Sequence, residues 1–174
     1  MPDWLSIPKI PIGKWLEAGV DLLNAHAQGL FDVISIVLET LIEGVTDGLL
    51  FLPALLFIAI AAAAVYALQR SVWLTLFVAL ALLLVANLGY WKEMMETLAL
   101  VFWATLISVA IGVPIGIAAA HRPWLYAILR PVLDLMQTIP TFVYLIPTLV
   151  LFGLGVVPGL ISTIVFAIPA PIRL

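Results

Sequence analysis

The stretch DLMQTIPTFVYLIP, Asp134–Pro147, opens with an acid, an amide and a hydroxyl, then carries two prolines through an otherwise apolar run. It begins a segment, Leu135 to Ile172, that contains no charged residue and is too long for one membrane-crossing helix. A segment that is membrane-like, interrupted and locally polar sets the terms for the rest of the chain.

Composition places that stretch in its class. Of 174 residues, 65% are hydrophobic and only 10% charged. Soluble domains run nearer half apolar and a quarter charged, so the composition implies an all-α, polytopic membrane bundle. A net charge of -3 without a basic patch offers nothing to neutralise phosphates, which argues against nucleic acid as a partner. Zero cysteines exclude disulfides and thiolate metal sites. The start, MPDWLSIPKIPIGK, lacks an apolar core behind a basic tip, so it does not read as a cleavable signal peptide.

A crossing helix needs about 20 mostly apolar residues. On that measure Leu49–Leu68 is a first span, Ser71–Trp91 a second and Thr97–Ala120 a third. The glycines and proline of FGLGVVPG, Phe152–Gly159, divide the uncharged run into a fourth span near Pro131–Phe152 and a fifth near Val157–Ile172. This gives three regions: 1–48 before the spans, 49–91 with two peripheral helices, and 92–174 as the core. Arg70, Arg122, Arg130 and Arg173 then fall on one side, against Lys92 close to a span on the other. The positive-inside rule puts the arginine side in the cytoplasm and the N-terminus outside.

The first region has its own pattern. Glu17, Asp21, Asn24, Gln28, Asp32, Ser35, Glu39 and Glu43 recur every three or four residues, opposite Leu16, Val20, Leu23, Leu30, Ile34, Leu38 and Leu41. That period predicts an amphipathic helix, lying at the outer interface or packed on the bundle. A contact surface for an extracytoplasmic partner is the sharper alternative.

Enzymatic constellations are missing. His26 and His121, the only histidines, lack metal-site spacing. Gly13-Lys14 lacks the preceding glycine of a phosphate-binding loop, so no ATP site is expected. Ser108 and Ser162 have no intramembrane base beside them and are expected to bond their own helices. What remains is backbone irregularity. Gly112 and Gly116 flank Pro114 at the spacing that lets helices approach closely. Pro140 and Pro147 repeat the interruption in the fourth span, and Pro158, Pro169 and Pro171 in the fifth. Such breaks are tolerated where they face protein or a water-filled cavity. Arg130 and Asp134, one turn apart, are expected to form an interfacial ion pair. Gln137 and Thr138 lie deeper, facing a pathway or a neighbouring helix. Phe142 and Tyr144 are candidates for contact with solute or for packing.

The string D-x-M-Q-T-I-P…F-V-Y-L…P…F-G-x-G-x-V-P-G within Leu129–Leu174 resembles the permease subunits of binding-protein-dependent ABC importers for glycine betaine, proline betaine and choline. Thr97–Pro123 looks like the first part of the same core, and the acidic N-terminal helix is similar to that of the longer members. The resemblance implies the first part of a type I importer permease in a bacterial inner membrane. It also implies a second copy of the permease, two ATPase subunits that hold ATP and magnesium, and a soluble solute-binding protein outside. This chain would bind no cofactor itself. In such permeases the chain runs on past the IRL element into a cytoplasmic loop of Glu-Ala-Ala…Gly type that docks on the ATPase. The expectation is that this sequence is a piece of a longer permease; the alternative is a non-transporting scaffold or assembly subunit, or an inactive fragment. Sequencing the DNA beyond the Leu174 codon is expected to read into that loop, beside ATPase and binding-protein genes. An immediate stop codon without such neighbours would contradict it.

Overall fold

A computed structural model describes the backbone of residues 12–174 and the side chains from Ala27 onward. The side chains of Leu16, Glu17, Val20, Asp21, Leu23 and Asn24, on which part of the amphipathic reading stands, and those of Lys9, Lys14 and His26 lie outside the described residues. The described residues form helices in the order α1 (Ile12–Leu50), α2 (Ala54–Gln69), α3 (Val72–Asn87), α4 (Trp91–His121), α5 (Pro123–Thr138), α6 (Thr141–Phe152), α7 (Val156–Ala167) and α8 (Pro169–Arg173).

Among the described residues two spans are long and apolar enough to cross a membrane, Trp91–His121 and Val156–Arg173. The number rises to four if each of two bent pairs counts as one: Ala27–Leu50 with α2, bent by 87°, and α5 with α6, bent by 92°. The expected five spans are therefore not five straight rods. The first, Leu49–Leu68, is divided, because α1 runs on to Leu50 and Pro53 precedes the first turn of α2. The second shortens to the 16 residues of α3, which rises only about 24 Å. Ser71 caps α3 by accepting the Leu74 amide, and Arg70 ends α2 in the left-handed conformation, φ 53°. These two residues make the tight turn of an α2–α3 hairpin. The third span extends at both ends into α4, whose 31 residues rise about 46 Å. Lys92, Glu93 and Glu96 lie in its opening turns instead of forming a loop.

α4 is the centre of the bundle, and its buried face is narrow. Met95, Ala99, Ala104, Ser108, Gly112 and Ala119 recur every four or five residues and are mostly small. In lipid there is no hydrophobic gain in bringing two apolar helices together, so close backbone approach and van der Waals contact must hold them. α1 covers the first part of this face: Ile42 is buried with Ala99, Ala104 and Leu160, and Leu38, Val45 and Trp103 pack around them. The Trp103 indole N–H donates to the Leu41 carbonyl at 2.8 Å, fixing α1 on α4. The described part of the amphipathic helix therefore packs on the bundle, with Asp32, Glu39 and Glu43 exposed.

α7 and α8 cover the rest. Leu100 lies against Gly159, Gly112 against Ile168 and Pro171, and Gly116 against Ile172. The contacts advance in the same direction on both partners, so α4 and α7–α8 run parallel. Parallel neighbours require the chain to return between them, and the broken pair α5–α6 makes that return. α4 itself continues unbroken through Pro114. Pro158, expected to interrupt the fifth span, falls in the first turn of α7, where a missing N–H costs nothing. The break ahead of it is made by glycine: Gly153 has φ 77° and Gly155 φ 153°.

Much of the remaining surface is apolar, as lipid-facing surface must be. Phe51, Trp73 and Leu154 are 84–95% exposed. The close contact predicts its own test. A Cβ at Gly116 would sit 2.8 Å from the Ile172 carbonyl oxygen and 3.2 Å from its Cα, backbone atoms that cannot swing aside. Gly116→Ala is expected to destabilise the bundle by about 1–3 kcal/mol in a denaturant titration of the micelle-solubilised protein. Gly48→Ala, with nothing within 4 Å, is expected to change stability by less than about 0.5 kcal/mol.

Candidate functional site

The quoted stretch, read first as one damaged span, is a corner. α5 ends at Thr138 because Pro140 has no N–H to continue the ladder and biases Ile139 to extended backbone, ψ 128°. In an unbroken helix the residue at 140 would donate to the Met136 carbonyl. With proline there, the Tyr144 hydroxyl donates to it instead, at 3.0 Å. The phenol thus returns from the first turns of α6 to the end of α5 and braces the 92° bend. Thr138 Oγ1 donates to the Leu135 carbonyl at 2.9 Å, and the Ile139 amide shares that acceptor at 3.1 Å. Two exposed side chains flank the corner, Gln137 at the end of α5 and Phe142 at the start of α6.

The four candidates Gln137, Thr138, Phe142 and Tyr144 are therefore brought together, but in two roles. The Tyr144 hydroxyl is engaged with the Met136 carbonyl that the break exposes, and the Thr138 hydroxyl with the Leu135 carbonyl of its own helix. Gln137 and Phe142 are left to meet whatever lies beside the corner. Pro147 is inside α6, one residue before Thr148. Thr148 Oγ1 lies 2.9 Å from the Leu145 carbonyl, 3.2 Å from that of Tyr144 and 3.3 Å from that of Pro158, which ties α6 to α7.

The expected Arg130–Asp134 pair is corrected. Asp134 Oδ1 is bound by Arg173 Nη2 at 2.5 Å, and Arg130 is exposed elsewhere on α5. An arginine four residues before an aspartate is the less favourable order for a pair along one helix. α8 packs against α5 and supplies a better-placed guanidinium. Ser162 donates to its own helix, at 2.8 Å to the Pro158 carbonyl, as expected. Ser108 instead reaches the Ile164 carbonyl of α7, at a long 3.5 Å. Among the described residues no three of His, Asp and Glu converge as a metal site.

α5 and α6 thus form a broken, polar-edged pair within an apolar bundle. Residues 112–174 match the family described as binding-protein-dependent transport system inner membrane component. Over 97% of its length the chain is 40% identical to the glycine betaine transport system permease protein OpuAB of Bacillus subtilis and 38% identical to the glycine betaine/carnitine transport permease protein GbuB of Listeria monocytogenes. It is 40% identical over 95% of its length to the glycine betaine/proline betaine transport system permease protein ProW of Escherichia coli. The family match covers the C-terminal part of the chain, and the likeness to these permeases runs over nearly all of its length. It spans 59%, 61% and 46% of these three relatives.

The corner and the ion pair each predict a measurable effect. Tyr144→Phe is expected to destabilise by about 0.5–1.5 kcal/mol and to broaden the distance distribution between spin labels on α5 and α6. A double-mutant cycle between Asp134 and Arg173 is expected to give a coupling of no more than about 1 kcal/mol, because both side chains are partly exposed. The same cycle between Asp134 and Arg130 is expected to give none.

Proposed function

We propose that the chain is the membrane-spanning permease subunit of an ABC importer that moves quaternary ammonium osmolytes (glycine betaine, proline betaine or choline) into the cytoplasm. Its pathway passes the α5–α6 corner. The observation that carries this reading is the broken helix at Thr138–Thr141, with Gln137 and Phe142 exposed beside it, in a chain about 40% identical to permeases named for glycine betaine. Substrate and ion sites in transporters lie at discontinuous helices, where freed backbone and nearby side chains meet a cavity.

In this reading a quaternary ammonium, which has no N–H, is met by an aromatic face rather than by a carboxylate. Phe142 supplies such a face. Gln137 offers an amide to the solute's carboxylate or hydroxyl. Thr138 and Tyr144 hold the shape of the corner. The chain itself supplies no cofactor; ATP and magnesium sit on a separate ATPase subunit, and a second permease copy and an extracytoplasmic binding protein complete the machine. The arginine-rich ends, Arg70, Arg122, Arg130 and Arg173, face the cytoplasm, with the N-terminus outside.

Uptake of labelled glycine betaine tests the reading, in cells that carry the full-length permease with its ATPase and binding protein and no other betaine system. Gln137→Leu and Phe142→Leu are each expected to slow uptake about tenfold, a barrier change of about 1.4 kcal/mol, without lowering the permease level in the membrane. Unchanged uptake would return both side chains to lipid contact or packing.

A further inference from the structure

α5 meets α6 at 92°, and α6 lies along the bundle. The Gly153–Gly155 turn folds α6 back on α7, where Thr148 reaches the Pro158 carbonyl, and α7 runs parallel to α4. α5 therefore lies across the bundle axis. Both of its ends are held at one end of the bundle. Its first residue follows the close of α4 after the single linker Arg122, and Asp134, near its last turn, binds Arg173 at the close of α8. The seating of Gly116 against Ile172 sets those two helix ends at similar heights. The 16 residues of α5, about 24 Å long, thus run along the arginine-bearing end of the bundle instead of through it.

Three stripes divide this helix. Leu125, Leu129, Leu133 and Met136 are buried or half-buried against the bundle. Trp124, Ile128, Val132 and Leu135, 49–60% exposed, form an apolar stripe on one flank. Arg122, Tyr126, Arg130, Asp134 and Gln137, all exposed, recur every three or four residues on the side opposite that apolar stripe. Arg173 compensates Asp134. Among the described residues no carboxylate pairs with Arg122 or Arg130.

We propose that α5 is an interfacial helix that binds anionic phospholipid, with the Trp124–Leu135 stripe among acyl chains and Arg122 and Arg130 on lipid phosphates. An apolar stripe opposite a basic one keeps a helix in the plane of the interface. A helix crossing the membrane would carry Arg130 and Asp134 towards the hydrocarbon, where a charge is costly. In the plane both stay at headgroup level. There the two unpaired guanidiniums complement the negative surface of the leaflet, and each offers a planar fork that matches phosphate oxygens. The inference rests on the placement of α5 and not on the proposed osmolyte pathway.

The test uses full-length permease in nanodiscs of phosphatidylglycerol and phosphatidylcholine, with one spin label at a time on Trp124→Cys, Ile128→Cys, Val132→Cys, Leu135→Cys or Arg130→Cys. Access to oxygen and to a water-soluble nickel complex reports depth. The four labels of the apolar stripe are expected to favour oxygen at nearly equal depth, and the Arg130→Cys label to favour nickel. A steady change of depth, about 16 Å between positions 124 and 135, would mean a crossing helix and overturn the proposal. Low access of both reagents along the stripe would mean that a second copy or another segment of the permease covers it, which overturns the proposal too. Spin-labelled lipids supply the second arm. Arg122→Gln/Arg130→Gln is expected to lower the preference for phosphatidylglycerol over phosphatidylcholine about fivefold. If that variant lowers the unfolding midpoint, Arg130→Gln, at an exposed position, serves instead. An unchanged preference overturns the assignment of anionic lipid.

Discussion

The narrow small-residue face of α4 is the constraint on which the bundle depends. In hydrocarbon, Leu against Leu gains little over Leu against lipid, so helices hold together only where backbones come close. Ala99, Ala104, Ser108, Gly112 and Ala119 provide that closeness on a single stripe. α1 takes the first part of the stripe, α7 the middle and α8 the end. The larger residues of α4, such as Phe102, Leu106 and Ile117, turn outward. The arrangement explains why Gly112 and Gly116 belong where they are while Gly29, Gly44 and Gly48 stand in open space.

A second rule shapes the helix breaks. Every proline in a membrane helix removes one donor and leaves one carbonyl to be satisfied by something else. At Pro140 the substitute is a phenol four residues on, and the helix turns through a right angle around it. At Pro158 no substitute is required, because the residue lies in a first turn whose amides have no partner inside the helix. At the Gly153–Gly155 break the chain turns on glycine rather than proline, in conformations that a side chain would oppose. Three interruptions that look alike as letters are thus three different devices.

This difference marks how far the sequence could be read. Class, helical architecture and the close-packing glycines were legible, because hydrophobic length and small-residue spacing are local signals. The break between Phe152 and Val156 was legible for the same reason. The 92° corner was not, since Pro140 in an apolar run reads equally well as a kink or as an end. Asp134 and Arg173 are 39 positions apart, and no local pattern favours that pair over Arg130 on the same helix. Tyr144 passed as a packing or solute-facing aromatic; its bond to Met136 follows only once Pro140 is seen to leave that carbonyl open. A proline followed four residues later by a tyrosine was the available hint. The amide and hydroxyl at Gln137 and Thr138 looked equivalent in sequence and are not, because one is exposed and the other is engaged with its own helix.

The brace at the corner is a single bond from a phenol to a carbonyl, in a place only half buried. Water competes well for both ends of such a bond. The angle between the two half-helices therefore answers to hydration: a dry corner is held stiffly by the tyrosine, and a flooded one is released. Wetness becomes a mechanical variable, set by whatever fills the space beside Gln137 and Phe142.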